Sequence, residues 1–375
     1  MFRNLKVKSF VGESGLEFLV NCFGNFKRGM IPVKSFLIPK KFDRFRKVYV
    51  YDYKQQFAAE EFVESLAESD FRQLVSKDSY GILDNTMNQG LRRVLRFYKA
   101  HLGVDLFVLT GDFENFSDSI SKKKMHEVVE DVGFWSVHQK RFVNSLINQS
   151  QLDGASWATE LKGVHSGLKL VGLLLNRYLY SFDTQIASLS RMFVRVGDNF
   201  VCFGSKSEIE SVKSFLDGFQ NEHDLKINYA WNNIQSRFEY LSYVIDNGVI
   251  AIRESSVARF QKRVCDCLQP RNLEFEQKLS VLRYKYKREA GLGDLMADFL
   301  LAYPFLNSRS QIVELNEFVY RRLNYFLFGF KGLSNFDNLR SVLNKIKFKS
   351  LLFVYTGLVN GALEYNKKSL EKIYK

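Results

Sequence analysis

Two aspartates follow apolar segments that have the pattern of buried strands. Residues 193–203 comprise an apolar run, a Gly-Asp-Asn turn and a second apolar run, which predicts a β-hairpin with Asp198 at its tip. Residues 106–112 form another apolar run, and it ends in Asp112. Each aspartate taken singly also fits a solvated turn residue. Two such strands lying side by side would present both carboxylates to divalent ions of the kind that catalyse phosphoryl transfer.

The segment between the two aspartates predicts the helices that would support them. Apolar residues spaced three and four apart between 125 and 132 predict a helix that begins near Ser121 and packs beneath the sheet. A glycine-bearing loop at 163–167 then leads into a second helix, whose apolar face we expect to be buried. Asn176 and Asp183 follow on that segment and are left to make polar contacts.

In this order the segments resemble the palm of reverse transcriptases. Residues 112–120 (DFENFSDSI) are similar to the first palm motif of that family. Residues 163–183 keep the glycines, leucines, Asn, Tyr and Asp at the spacing of the second. Residues 196–199 (VGDN) lie where the family usually has an aromatic, a small residue and two aspartates. The resemblance extends over roughly residues 35 to 265, and its specificity lies in the ordered set of motifs.

The resemblance implies an α+β fold of the right-hand polymerase type. Fingers and palm would be built from an antiparallel sheet plus helices, and a helical thumb and C-terminal extension would follow. The implied bounds are 1–105 for the fingers with an N-terminal extension, 106–245 for the palm with inserted fingers elements, and 246–375 for the helical thumb and C-terminal region.

The resemblance also implies the residues of the site. Asp112, Asp198 and the backbone carbonyl of Phe113 would bind Mg²⁺, with Mn²⁺ as an alternative ion. The residues implied to bind the incoming dNTP are Lys40, Arg46, Ser117, Ser166, Gly167 and Asn199. Tyr240 and Tyr243 fall where the primer grip belongs and would contact nucleic acid.

Four positions depart from the family pattern. Asn199 replaces the second carboxylate of the turn, and Trp231 replaces a lysine that serves as general acid, although Lys226 is nearby. Ser117 and Ser166 replace larger side chains that contact the nucleotide sugar. These changes leave two hypotheses: an unusual polymerase, or a degenerate one kept as a noncatalytic RNA-binding scaffold. Retention of both core aspartates favours the enzyme.

Charge favours a nucleic-acid partner. The chain has 54 Lys and Arg against 41 Asp and Glu, a formal net charge of +13, and such an excess suits the neutralisation of phosphates. Arg283, Lys285 and Lys287 alternate with tyrosines that could stack on bases, so we expect them to bind nucleic acid. A solvated helix face explains this segment equally well.

The remaining features suggest a cellular setting. The first residues carry no signal-peptide core, and the longest apolar runs are too short to span a bilayer, so we expect a cytoplasmic protein without a membrane partner.

No segment resembles an integrase, ribonuclease H or endonuclease. Compact bacterial abortive-infection and other defence-associated reverse transcriptases are the most similar group. Retron and diversity-generating enzymes are alternatives, but their turn usually keeps both aspartates. The implied partners are a noncoding RNA, a DNA product, and a partner protein or a second copy of the chain.

Overall fold

The computed structural model describes residues 34–39, 45–50, 53–81, 86–147, 151–153, 156–158, 162–164, 167–269, 272–287, 291–329 and 336–360. Lys40 and Ser166 of the expected nucleotide site lie outside these ranges, and Arg46 lies in a strand whose side chains are not described. The chain divides into two compact units, Met1–Ile234 (unit 1) and Gln235–Lys375 (unit 2). The expected domain bounds at 105 and 245 stay predictions.

Unit 1 is a mixed α/β body. Its described strands are β1 (Lys34–Pro39), β2 (Phe45–Val50), β3 (Ser79–Tyr80), β4 (Phe107–Phe113), β5 (Gln151–Asp153), β6 (Ser156–Ala158), β7 (Met192–Val196), β8 (Asn199–Gly204) and β9 (Ile227–Asn233). Its described helices are α1 (Tyr53–Ser65), α2 (Glu68–Leu74), α3 (Met87–Ala100), α4 (Phe116–Ser119), α5 (Lys122–Glu130), α6 (Val137–Ile147), α7 (Lys169–Tyr178), α8 (Tyr180–Leu189) and α9 (Lys206–His223).

A five-stranded sheet forms the centre of unit 1. The strand order is β3-β7-β8-β4-β9, and all neighbours are antiparallel except β3 and β7. Strands β1 and β2 pair with each other, as do β5 and β6. The α+β class with a mainly antiparallel sheet is therefore confirmed, while the assignment of its parts to fingers, palm and thumb stays a prediction.

The helices of unit 1 follow the apolar spacing of the sequence. Helix α5 begins after Ser121, and its Met125 and Val129 are fully buried. Helix α7 begins shortly after Gly167, and the face that contains Leu174 packs into the core. The buried residues of this face and of α9 belong to the same apolar cluster as Phe113 of β4.

Unit 2 is largely helical. Its strands β10 (Phe238–Tyr240), β11 (Tyr243–Asp246) and β12 (Val249–Ile252) form a small antiparallel sheet. Its described helices are α10 (Glu254–Cys267), α11 (Phe275–Lys287), α12 (Leu292–Ala302), α13 (Arg309–Phe328), α14 (Phe336–Lys345) and α15 (Leu351–Val359). These helices bury a second apolar cluster of their own. Across the described ranges of the whole chain, no helix is both long and apolar enough to cross a bilayer.

Candidate active site

Strands β4 and β8 bring the two aspartates to the same end of the central sheet. Asp112 lies opposite Asn199 in the antiparallel register. The backbone N–H of Phe113 donates to the carbonyl oxygen of Asp198 at 3.1 Å. Opposed residues of an antiparallel pair have Cα atoms only about 4.5–5.5 Å apart, so Asp112 adjoins the turn that carries Asp198. Asp112 is exposed and Asp198 is half-buried. The expected juxtaposition is present, and metal binding by the pair stays a prediction.

The turn that carries Asp198 is a tight hairpin. Val196 pairs with Asn199, so only Gly197 and Asp198 connect β7 to β8. Gly197 has φ +63°, a left-handed conformation that glycine adopts without a steric cost. A two-residue loop of this kind suits the twist of the strands it joins. The hairpin predicted from the Gly-Asp-Asn sequence is therefore confirmed.

Asn199 forms a direct hydrogen bond with the neighbouring aspartate. Its side-chain Nδ2 donates to Oδ1 of Asp198 at 2.7 Å. The residue at the position of the family's second carboxylate thus acts as a hydrogen-bond donor here. One oxygen of Asp198 is held by this bond, which limits the orientations that its carboxylate can adopt.

The donor set of this site suits a hard divalent ion. Carboxylate and carbonyl oxygens are the ligands that Mg²⁺ prefers, and Mg²⁺ is often held by one or two carboxylates together with substrate phosphates and water. Asp112 and Asp198 supply two carboxylates at the exposed end of the sheet. Among the described residues, no cluster of three or more His, Cys, Asp or Glu side chains could form a complete protein cage for a metal. The two carboxylates fit the donor chemistry that Mg²⁺ prefers, and metal binding by them stays a prediction.

The glycine-bearing loop lies against the segment that follows β4. The N–H of Val164 donates to the carbonyl of Ser117 at 2.7 Å, and the N–H of Gly163 donates to the carbonyl of Ile120 at 2.8 Å. Gly163 has φ +91°, and a Cβ there would lie 3.3 Å from the carbonyl oxygen of Asp118. Ser117 is thereby brought to the loop that leads to Gly167, which is exposed. The nucleotide-binding roles of Ser117 and Gly167 stay predictions.

Lys226 and Trp231, the two positions considered for a general acid, both contact other side chains of the protein. The ammonium of Lys226 lies 2.6 Å from a carboxylate oxygen of Glu114. Trp231 is half-buried on β9, where its ring lies 5.5 Å from that of Phe107 and the ammonium of Lys213 lies 4.8 Å above it. Trp231 thus packs along the sheet, and the ammonium of Lys226 forms an ion pair with Glu114.

In unit 2, the residues expected to bind nucleic acid differ in exposure. Arg283 and Lys287 are exposed on α11. Lys285 is half-buried, its ammonium donates to the carbonyl of Cys267, and it lies 5.7 Å from the centre of the Phe326 ring. Lys285 therefore directs its charge into the protein, because successive residues of a helix point in different directions.

The tyrosines of the expected primer grip are in the interior of unit 2. Tyr240 and Tyr243 are each only 2% exposed. They are paired across β10 and β11, and the Tyr243 ring lies 5.6 Å from that of Tyr303. Rings buried in this way leave almost no surface for stacking on a base.

Gly111 is a supporting residue that the motifs did not identify. It lies opposite Phe200 in the β4–β8 register, and a Cβ at Gly111 would lie 2.4 Å from Cζ of that ring. The ring is fully buried and packs against Phe113 and Phe182, so it has little room to move. The sequence signal was a glycine directly before the strand-end aspartate.

Arg195 is a second supporting residue that sequence reasoning missed. It lies on β7, and its side chain is only 1% exposed. Its guanidinium makes a bidentate ion pair with Asp183 of α8, at 2.6 and 2.7 Å. Burial raises the pKa of Asp183, and the adjacent guanidinium opposes that rise. The available signal was an arginine inside an otherwise apolar strand, together with the polar Asn176 and Asp183 on apolar helices.

No protein-family model matches the chain, and no curated protein is significantly similar to it. Among solved structures, it is similar to apo telomerase from Candida tropicalis, with a TM-score of 0.49 and 14% identity over 96% of this chain and 67% of that chain. The same telomerase truncated from its C-terminal domain gives a TM-score of 0.43 and 16% identity over 64% of this chain and 60% of that chain. Telomerase from Candida albicans in complex with a TWJ fragment of telomeric RNA gives a TM-score of 0.44 and 13% identity over 96% of this chain and 67% of that chain. These similarities are distant and assign neither an activity nor a partner to this chain.

Proposed function

We propose that this chain is a reverse-transcriptase-like nucleotidyl transferase that adds nucleotides to a 3′-hydroxyl and synthesises DNA. The observation that carries the proposal is the antiparallel β4–β8 register, in which Asp112 lies opposite Asn199 and next to the Gly197-Asp198 turn. The ordered motifs around these residues supply the second support. Asp112 and Asp198 are the proposed ligands of two Mg²⁺ ions, together with the backbone carbonyl of Phe113.

The chain's own residues would hold and orient the reactants. With Mg²⁺ bound, such a site lowers the pKa of an attacking hydroxyl and neutralises charge on a triphosphate. The Phe113–Asp198 backbone bond ties the turn to β4, and Asn199 orients one oxygen of the Asp198 carboxylate. In the proposal Lys40 and Arg46 grip the triphosphate.

Sugar selection by this site should be weak. Ser117 and Ser166 are smaller than the side chains that the family usually has at these positions, so they would exclude a 2′-hydroxyl poorly. Competition between matched dNTP and rNTP pools measures this. A dNTP preference of about a thousandfold, which corresponds to about 4 kcal/mol, would contradict weak selection.

The partners follow from charge and from the resemblance. A net charge of +13 and the exposed cations of Arg283 and Lys287 support binding to RNA or to a nucleic-acid product. The motif departures extend the proposal to a bacterial antiphage-defence enzyme that works with a noncoding RNA or a partner protein. The template in this proposal is a restricted one, such as an associated RNA.

The test is polymer synthesis by the purified full chain with any RNA that co-purifies. Labelled dNTPs or rNTPs are supplied with Mg²⁺ or Mn²⁺, and the products are sized, digested with nucleases and sequenced. We expect wild type to synthesise DNA only when a divalent metal is present, and Asp198→Asn to synthesise none. Glu210→Gln is the matched control, because it removes an exposed carboxylate from α9 outside the site.

The alternative is a noncatalytic RNA-binding scaffold. The amide of Asn199 in place of a second carboxylate favours it, because an amide adds no negative charge to a metal site. RNA binding that is equal in wild type and Asp198→Asn, with no polymer under any metal and nucleotide combination, would establish the scaffold and overturn the enzyme.

A further inference from the structure

The buried ion pair in unit 1 also holds the turn that carries Asp198. Besides its two bonds to Asp183, the guanidinium of Arg195 donates through Nη1 to the carbonyl oxygen of Gly197 at 2.7 Å. This carbonyl belongs to the first of the two turn residues. The Arg195 side chain on β7 thus reaches back to the turn of its own hairpin. The Gly197 carbonyl accepts this hydrogen bond from the protein interior.

The same arginine joins three other elements to β7. Its Nη2 donates to Oδ1 of Asn176 on α7 at 2.8 Å, and Oγ of Ser79 on β3 donates to that same oxygen at 2.6 Å. The backbone N–H of Arg195 donates to the carbonyl of Asp78 at 2.9 Å. Asp183 brings in α8. The guanidinium therefore contacts α7 and α8 as well as the turn, and Ser79 of β3 joins the network through Asn176.

Stability alone does not account for this arrangement. An ion pair removed from water pays a desolvation cost, and apolar residues of similar volume often give an equal or higher stability. A pair that served only the core would also need no bond to the turn. The planar guanidinium can satisfy a carboxylate through two of its N–H groups and still have donors for other acceptors, which a lysine ammonium cannot do with the same geometry.

We propose that Arg195 is a positioning residue for Asp198, and that Asp183 and Asn176 fix its guanidinium so that Nη1 orients the Gly197 peptide. This inference rests on the proposed function, in which Asp198 is a metal ligand. Outer partners that orient metal ligands typically contribute about 10-fold to 100-fold to metal affinity. Loss of the Arg195–Gly197 bond should therefore weaken metal binding even in a folded protein.

The deciding variant of the full chain is Arg195→Met combined with Asp183→Leu. Each single change leaves an uncompensated buried charge and should lower the melting temperature, whereas the double change removes both charges and should recover much of that loss. The Gly197 carbonyl still lacks its donor. We expect the double variant to bind Mn²⁺, followed by electron paramagnetic resonance, at least about tenfold more weakly than wild type. We also expect faster amide exchange in a peptide covering 192–204.

Wild-type Mn²⁺ affinity and wild-type exchange in the recovered double variant would overturn the positioning role. If the double variant does not fold, Arg195→Lys decides, because it keeps the charge opposite Asp183: loosened exchange at the turn supports the role and unchanged exchange refutes it. The variant Ile186→Ala, which truncates a buried side chain on α8, controls for general destabilisation. Equal Mn²⁺ binding by wild type and Asp198→Asn would refute the metal site itself, and amide exchange would still decide the role of Arg195.

Discussion

The two units of the chain differ in the charged side chains that they bury. Unit 1 buries charged and polar side chains next to the hairpin of Asp198, among them Asp78, Asp183 and Arg195. Within its described residues, unit 2 buries no charged residue, and its buried polar set consists of Ser256, Ser308 and Asn324. Unit 2 exposes cations such as Arg283 and Lys287.

This difference indicates different roles. A buried charge costs free energy unless its partners are well placed, so a cluster of them beside a turn is best explained by a demand for fixed geometry. Exposed cations cost little and suit a polyanion that binds through many weak contacts. On the proposed function, the chemistry belongs to unit 1 and a share of nucleic-acid binding to unit 2, and the following variants test this division.

The largest effect is expected from the strand-end aspartates of unit 1. Asp112→Asn or Asp198→Asn should reduce polymer synthesis at least about a thousandfold, or about 4 kcal/mol in the barrier, because each removes one of two proposed metal-binding carboxylates. The melting temperature should stay near that of wild type. Single-turnover assays measure the first quantity and thermal unfolding the second. Undiminished synthesis by either variant would remove the site from unit 1.

Breaking the buried ion pair should cost more stability than any polar change in the core of unit 2. Asp183→Asn leaves the guanidinium of Arg195 without its counter-charge and should lower the free energy of unfolding by about 3–5 kcal/mol. Asn324→Ala, at a fully buried uncharged position of unit 2, should cost about 1–3 kcal/mol. Denaturant titrations compare the two. Equal losses would mean that the two cores do not differ in their dependence on charge.

Close packing beneath the aspartate strand gives the next effect. Gly111→Ala should destabilise the protein by about 1–3 kcal/mol, because its Cβ would collide with the buried ring of Phe200. Gly218→Ala is the matched control, since it lies in α9 with nothing within 4 Å of an added Cβ. That change should stabilise the helix by about 0.5–1 kcal/mol. A Gly111→Ala protein as stable as the control would show that this ring moves freely.

In unit 2 the exposed cations should set the salt dependence of nucleic-acid binding. Arg283→Gln with Lys287→Gln should flatten the slope of log K against log salt by about 0.7–0.9 for each phosphate that the variant no longer neutralises. Lys285→Gln removes the same unit charge from the same helix, but its ammonium bonds to Cys267, so its effect on the slope should be smaller. Filter-binding titrations from low to high salt test this. A larger change from Lys285→Gln would place the binding face elsewhere.

The smallest effect is expected at the turn itself. Asn199→Asp should keep synthesis within about tenfold of wild type, because a bound divalent ion can offset the added carboxylate. The relative activities in Mg²⁺ and Mn²⁺ should change, since the donor to Oδ1 of Asp198 is lost. Parallel assays in the two metals measure this. Complete inactivity would mean that the amide of Asn199 is itself required.

Local sequence patterns predicted much of unit 1. The apolar runs and the Gly-Asp-Asn turn predicted the β7–β8 hairpin, and the spacing around Met125 predicted α5. These features depend on periodicity and turn chemistry, which act over a few residues. The adjacency of Asp112 and Asp198 came from motif order, and the register agrees with it.

The sequence by itself singled out Asp112 and Asp198 as candidate metal ligands and predicted that their strands lie side by side. The tertiary structure decided which of several similar side chains face solvent and which partners the buried ones find. It turned Lys285 toward Cys267 while Arg283 stayed exposed, and it paired Arg195 with Asp183 beside the turn. The physical reason is that burial and ion pairing depend on how separate elements pack against one another, and neither helical spacing nor composition records that packing.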